Sequence, residues 1–282
     1  MENLYEYINK ENWNNDSFSS TKAYVCSEIS RLVYDYKPQK IKDRVNIYEI
    51  DQQTLKCKNQ EVQRFVDLLF SRDFRIIFII ETSKVITFGI SFGRVVIVAS
   101  RGTSNWKDWF INLNLLKVKT FIPKLKLHKG FNDIAEISQD TAWSKIFDKS
   151  EPVYFTGHSL GAALSAVLFF KFKNQPKRGI NPTNIKSAYT FGMPRIANRN
   201  VIEFDKIYHI YNPLDIVPKV PMEILGFSNI SPEYTFKDDH IIEKNNRDSP
   251  KYFKSILLFI TWRLIKKQHD IVWYKNQIKK SL

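Results

Sequence analysis

Apolar positions along the chain fall into two rhythms. From Thr21 to Tyr36 they recur at Val25, Ile29, Leu32, Val33 and Tyr36, the spacing of one helical face. Arg75 to Ile80, Lys84 to Phe88 and Arg94 to Ala99 are apolar, β-branched runs that read as strands, with Phe92-Gly93 as a turn ahead of the third. Helical spacing returns from Phe131 to Ile146. A strand is expected at Val153 to Thr156, followed by a helix whose Ala162, Ala163, Ser165 and Ala166 allow close packing on a sheet. Lys186 to Phe191 and Lys206 to Tyr211 read as further strands, with a helix expected around Ile196 to Phe204. Strands alternating with helices predict an α/β protein with a largely parallel sheet covered on both faces. No repeat, low-complexity tract or Gly/Ser linker interrupts the pattern, which predicts one domain over residues 1–282.

Composition narrows the function classes. Hydrophobic residues make up 43% of the 282 and aromatic residues 14%, enough for a substantial core, which excludes a disordered chain. A net charge of +14 favours anionic partners, a phospholipid surface or nucleic acid, although solubility alone also explains it. No zinc-finger spacing or aromatic RNA-binding signature accompanies the charge, so no nucleic-acid partner is expected. Cys26 and Cys57 lack C-x-x-C spacing and read as free thiols in a reducing compartment. No metal or cofactor is expected. The start, Met-Glu-Asn-Leu-Tyr-Glu-Tyr, has neither the basic nor the apolar region of a secretory signal. The longest apolar run, Ser255 to Trp262, is too short to span a membrane. The expectation is a cytoplasmic protein, or one exported without a signal peptide, with peripheral membrane contact.

Gly157-His-Ser159-Leu-Gly161 joins the Val153 strand to the small-residue helix. G-x-S-x-G between a strand and a helix lifts the serine hydroxyl above a sheet, where a base can reach it. Leu160, the residue after the serine, would then offer its backbone N–H to an oxyanion. Serine is a weak nucleophile alone, so the reading requires a histidine and a carboxylate.

Other segments align with this one. They are Arg101-Gly-Thr103, His128-Lys-Gly-Phe131, Thr190-Phe-Gly-Met-Pro-Arg195 and Asp215-Ile-Val-Pro-Lys-Val-Pro221. In this order, with G-H-S-L-G, the chain resembles the class 3 (fungal-type) lipases of the α/β-hydrolase superfamily, over roughly Arg94 to Pro221. Residues before Arg94 carry no such motif. The resemblance implies an α/β-hydrolase fold, a mostly parallel central sheet flanked by helices. It places Ser159 as nucleophile, Asp215 as the triad carboxylate and Thr103 as a second oxyanion donor beside Leu160. Asp215 as a turn cap and Thr103 as a helix cap are the structural alternatives.

Five histidines compete for the base. His158 sits within the turn beside the serine, His128 takes a structural role by resemblance, and His209 precedes Asp215 in a strand. His240 and His269 both satisfy the order serine, acid, histidine. His269, followed by an aromatic residue five positions on, is similar to the family's closing segment and is preferred. His240 lies in a charged loop, Asp238-Asp-His, where a solvated histidine is usual.

Trp106, Trp109, Phe110 and Leu113 share a helical face after Thr103. By resemblance this region is a lid, with Trp106 and Phe110 as candidate acyl contacts and Trp109 structural. Core packing is the alternative for the first two. Lys117 to Lys129 interleaves five lysines with apolar residues, read as a lysine-guarded strand edge or as a dock for anionic lipid. Phe253 to Leu264 is apolar on both helical faces, which fits burial or an interfacial anchor. The expected activity is hydrolysis of a lipid ester, triacylglycerol or diacylglycerol first and phospholipid by phospholipase A action second. A catalytically silent lipase-like scaffold is the remaining reading.

Overall fold

A computed structural model of the chain describes residues 4–37, 46–48, 56–70, 74–82, 85–102, 116–146, 150–174, 182–230, 232–243 and 268–282. The expected opening helix is α2 (Ser20–Asp35), preceded by the short α1 (Leu4–Lys10). Ser19 caps α2, accepting from the Lys22 amide. After β1 (Asn46–Tyr48) and α3 (Gln60–Phe70) come β2 (Arg75–Glu81), β3 (Val85–Ser91) and β4 (Val96–Gly102). A separate hairpin, β5 (Lys117–Lys119) with β6 (Lys126–His128), leads into α4 (Lys129–Ile146). Next are β7 (Val153–His158), α5 (Leu160–Asn174), β8 (Ile185–Phe191) and β9 (Ile207–Ile210). The chain closes with β10 (Glu233–Lys237), β11 (His240–Glu243) and α6 (Ile271–Lys280).

Among the described residues the main sheet runs β1-β2-β3-β4-β7-β8-β9-β10-β11. Its centre, β4 through β10, is parallel, and both flanks are antiparallel. Side chains of each central strand alternate between two cores. Tyr154 and Tyr189 point toward α1, α2 and α6, whereas Phe155 and Ala188 point toward α4 and α5. Every residue of β7 is buried, as expected of a parallel strand covered on both faces. The polar Thr156 in that strand is satisfied by Ser30 of α2 at 3.1 Å and by the Tyr189 carbonyl at 2.9 Å.

The helix expected around Ile196 to Phe204 does not form. Ala197 instead bridges Leu127 and Ser228, and only Ile202–Phe204 makes a 3-10 turn. The amides of His128 and Asn198 are committed across strands, to Ile196 and Lys126 carbonyls, so local hydrogen bonding is pre-empted. His240 begins edge strand β11 and is exposed, not in a loop. Trp106, Trp109, Phe110, Leu113 and the segment Phe253 to Leu264 lie outside the described residues.

Candidate active site

Parallel strands β7, β8 and β9 all end on the same edge of the sheet, and the site is assembled there from the segments that follow them. Ser159 sits between β7 and α5 at φ +57°, a left-handed backbone that a non-glycine residue adopts only when the surroundings enforce it. Here the Ser159 amide donates to the Phe191 carbonyl at 2.9 Å, and its own carbonyl receives the Ala162 amide at 3.0 Å. At Gly161 a Cβ would collide with the Ser100 carbonyl of β4, so the second glycine of the motif is required by helix–strand contact. Leu160 is the first residue of α5, where helix amides have no intrahelical acceptor.

Three side chains form a series. His269 Nε2 lies 2.7 Å from Ser159 Oγ, and His269 Nδ1 lies 2.6 Å from Asp215 Oδ2. All three residues are buried. Asp215 follows β9 in the turn Tyr211–Asp215, braced by the Leu214 amide on Asn212 Oδ1 at 3.0 Å. Its Oδ1 receives the Val217 amide at 2.9 Å, and its Oδ2 receives the Tyr274 hydroxyl at 2.7 Å. Burial and the neighbouring carboxylate push the Tyr274 phenol well above its ordinary range, so it remains a donor. The Tyr274 hydroxyl oxygen in turn accepts the Asn212 backbone amide at 3.0 Å. Asn212 also donates to the Gln268 carbonyl at 3.1 Å, tying the acid loop to the residue before His269. Asp270 then caps α6, accepting from Val272 at 2.9 Å. Gly192, at φ +55°, backs the pair: a Cβ there would lie 2.8 Å from Asp215 Oδ2 and 3.0 Å from His269.

The other histidines have different places. The ring of His158 packs against that of His269, tilted by 34° with centroids 4.5 Å apart. Burial, reinforced by His269, holds it well below the usual imidazole range and therefore neutral. His128 is lowered to about 4 by burial, and its Nδ1 accepts the Gly130 amide at 3.1 Å at the start of α4. His209 Nε2 accepts the Met193 amide at 3.2 Å and so fixes the loop after β8.

Two positioning groups were not singled out by sequence. Arg195 donates to the carbonyls of Lys219 at 2.7 Å and Pro221 at 3.0 Å, and to Glu223 at 2.9 Å, pinning the stretch that follows Asp215. Tyr274 is the aromatic residue five positions after His269, a spacing visible in the sequence whose purpose is the contact with Asp215. Thr103, Trp106 and Phe110 lie outside the described residues.

A parallel-centred sheet with a strained serine between strand and helix, facing a histidine and an acid from later loops, is the arrangement of the α/β-hydrolase fold. Solved structures of the same fold include the mono- and diacylglycerol lipase from Aspergillus oryzae, with a TM-score of 0.63 at 17% identity, covering 93% of this chain and 96% of that one. Lipase II from Rhizopus niveus gives a TM-score of 0.58 at 20% identity over 74% of this chain and 82% of that one. Residues 97–225 match the model of the class 3 lipase family. A secreted mono- and diacylglycerol lipase of Fusarium solani is 28% identical over 150 residues, 49% of this chain and 43% of that protein. One from Malassezia globosa is 30% identical over 127 residues, 41% of this chain and 40% of that protein. The chain thus aligns with less than half the length of these relatives.

Proposed function

We propose that this protein is a serine hydrolase of lipid carboxylic esters, acting on acylglycerols through Ser159, His269 and Asp215. The observation that carries the reading is the unbroken hydrogen-bonded series from Ser159 Oγ through His269 to Asp215 Oδ2. In this reading Ser159 Oγ attacks the ester carbonyl carbon while His269 Nε2 takes its proton. Asp215 holds the imidazole in the tautomer that leaves Nε2 free and stabilises the imidazolium that forms. The backbone N–H groups of Leu160 and Thr103 hold the oxyanion. His269 returns the proton to the departing alcohol, and water, activated by the same imidazole, releases the fatty acid. Acylglycerol is favoured because the named relatives are mono- and diacylglycerol lipases.

We read residues 1–282 as one catalytic unit, since α2 and α6, from opposite ends of the chain, pack together beside the site. Lipid-surface contact is part of the proposal. Leu116, Leu214, Met222 and Ile224 are exposed on loops bordering the acid turn, Ile224 to 88%. Among them Lys117 bonds the Leu225 carbonyl at 2.7 Å and Lys219 the Pro213 carbonyl at 2.9 Å. With a net charge of +14, this rim suits an anionic lipid aggregate. Among the described residues no helix is long and apolar enough to cross a membrane.

The deciding experiment compares wild type, Ser159→Ala and His269→Ala on p-nitrophenyl esters and on monoacyl-, diacyl- and triacylglycerol and phospholipid emulsions. Hydrolysis by wild type that both variants lose, with acylglycerols preferred, is expected. Preference for phospholipid would overturn the substrate class, and an inert but folded wild type would favour a silent scaffold.

A further inference from the structure

We propose that Tyr34 is a positioning residue that sets the spacing between the two backbone segments assigned to hold the oxyanion; the inference rests on the hydrolase reading. Tyr34 stands in the last turn of α2, in the part of the chain without a family motif. Its hydroxyl donates to the His158 carbonyl, the residue before the nucleophile, at 3.0 Å. The Tyr34 hydroxyl oxygen is itself met by the Gly102 backbone amide. Gly102 ends β4, and the residue after it begins the segment assigned the second oxyanion donor.

The ladder explains why a bridge is needed there. β4 and β7 pair in register from Val96↔Val153 to Ser100↔Gly157, and no rung follows. Beyond Gly157 the chain turns into the strained Ser159, and β4 continues through Arg101 and Gly102. The Tyr34 hydroxyl stands where the next rung would be, joining the Gly102 amide to the His158 carbonyl. The strand ends are also in close contact: a Cβ on Gly102 would lie 2.5 Å from the Leu160 side chain.

Tyr34 is itself held from both sides. Arg101 donates to its carbonyl at 2.7 Å and to that of Tyr36 at 3.2 Å, so the last turn of α2 is fixed to β4. The Tyr34 ring meets His158 edge to face, with centroids 5.5 Å apart. Tyr34 is therefore tied through its carbonyl to residue 101 and through its hydroxyl to residues 102 and 158, the segments flanking both assigned donors. Oxyanion stabilisation depends on donor positions to a few tenths of an ångström, so loss of this rung acts on the transition state more than on substrate binding.

The test is Tyr34→Phe, with kcat on a soluble ester expressed per serine titrated by an organophosphonate. Two ligands accompany it: a trifluoromethyl ketone, whose adduct carries an oxyanion, and an ether analogue of the ester, which does not. The expected result is a fall in kcat of about tenfold with KM little changed, and a parallel loss of ketone affinity. Ether affinity should be retained. Active wild type with a Tyr34→Phe variant equal to it in kcat and ketone affinity would overturn the inference while leaving the hydrolase reading intact. Equal losses for ketone and ether would also overturn it, as general distortion. Should Tyr34→Phe not fold, 3,5-difluorotyrosine at position 34 keeps the shape and alters hydroxyl donation. A change in kcat and ketone affinity without a change in ether affinity is then expected, and no change would refute the rung.

Discussion

Tyr274 and His269 place their donors on the same oxygen of Asp215, at 2.7 Å and 2.6 Å. The buried carboxylate is therefore oriented by α6 itself, the helix that begins immediately after His269. Tyr274→Phe removes one charge-assisted hydrogen bond and leaves the Asn212 amide without its acceptor. Stability should fall by about 1–3 kcal/mol. Catalysis should weaken by roughly tenfold in kcat, since a hydrogen bond to a charged group of this strength no longer orients Asp215. Denaturant unfolding and ester kinetics on the same preparation check both, and unchanged kcat in a destabilised variant would make Tyr274 a packing residue only.

Asp215→Asn tests the proposed role of the carboxylate rather than its presence. An amide can meet His269 Nδ1 and the Tyr274 hydroxyl with its oxygen only by turning its NH₂ against the Val217 N–H, or with its NH₂ by opposing the Tyr274 donor and forcing the imidazole proton onto Nε2. In the second tautomer His269 cannot accept from Ser159. The expected loss in kcat is on the order of 10⁴-fold. Activity near wild type would remove Asp215 from the reaction.

How much could be read in advance depended on the range of the contacts. The strand, turn and helix around Ser159 were legible because they are local, and because a doubly covered strand is apolar throughout. Chain order left His240 and His269 equal; the family spacing after His269 and the charged surroundings of His240 separated them. In the fold His269 reaches Ser159, whereas His240 is exposed on an edge strand. Tyr34 was invisible as a site residue, since its partner lies 124 positions away and its own helix reads simply as an apolar face. The error at Ile196 to Phe204 has the same origin: helical spacing of apolar residues was overridden by cross-strand bonds to Leu127 and Ser228.

His128 should make the protein acid-sensitive. Its conjugate acid is depressed from 6.5 to about 4 by burial, so the unfolded chain binds a proton there before the folded one does. Stability is then full above pH 6.5, declines as the pH falls toward 4, and levels off below the folded value. The decline amounts to at most about 3 kcal/mol, and neutral His158, shifted in the same direction, adds to it. His128→Asn keeps an acceptor for the Gly130 amide and cannot be protonated. Its denaturation midpoint should depend less on pH between 6.5 and 4 than that of wild type. Parallel pH profiles would assign the acid lability elsewhere.

The exposed rim beside the acid turn gives the last prediction. Met222 precedes the 3-10 turn Glu223–Leu225 and Ile224 is its middle residue; the acidic member is already paired with Arg195 at 2.9 Å. Burying an exposed aliphatic side chain in an acyl layer is worth about 1.5–3 kcal/mol, so Met222→Ser with Ile224→Ser should weaken vesicle binding by more than about tenfold. Lys117→Ser with Lys219→Ser should weaken binding to vesicles containing phosphatidylglycerol and leave binding to pure phosphatidylcholine unchanged, with the difference vanishing at high salt. Turnover of a short soluble ester should survive in the Met222 and Ile224 variant, because neither side chain touches Ser159, His269 or Asp215. A variant that binds both vesicle types as wild type does would place the lipid-facing surface elsewhere on the molecule, with Lys119, Lys124 and Lys126, the lysines of the β5–β6 hairpin left unsubstituted, as the next to test.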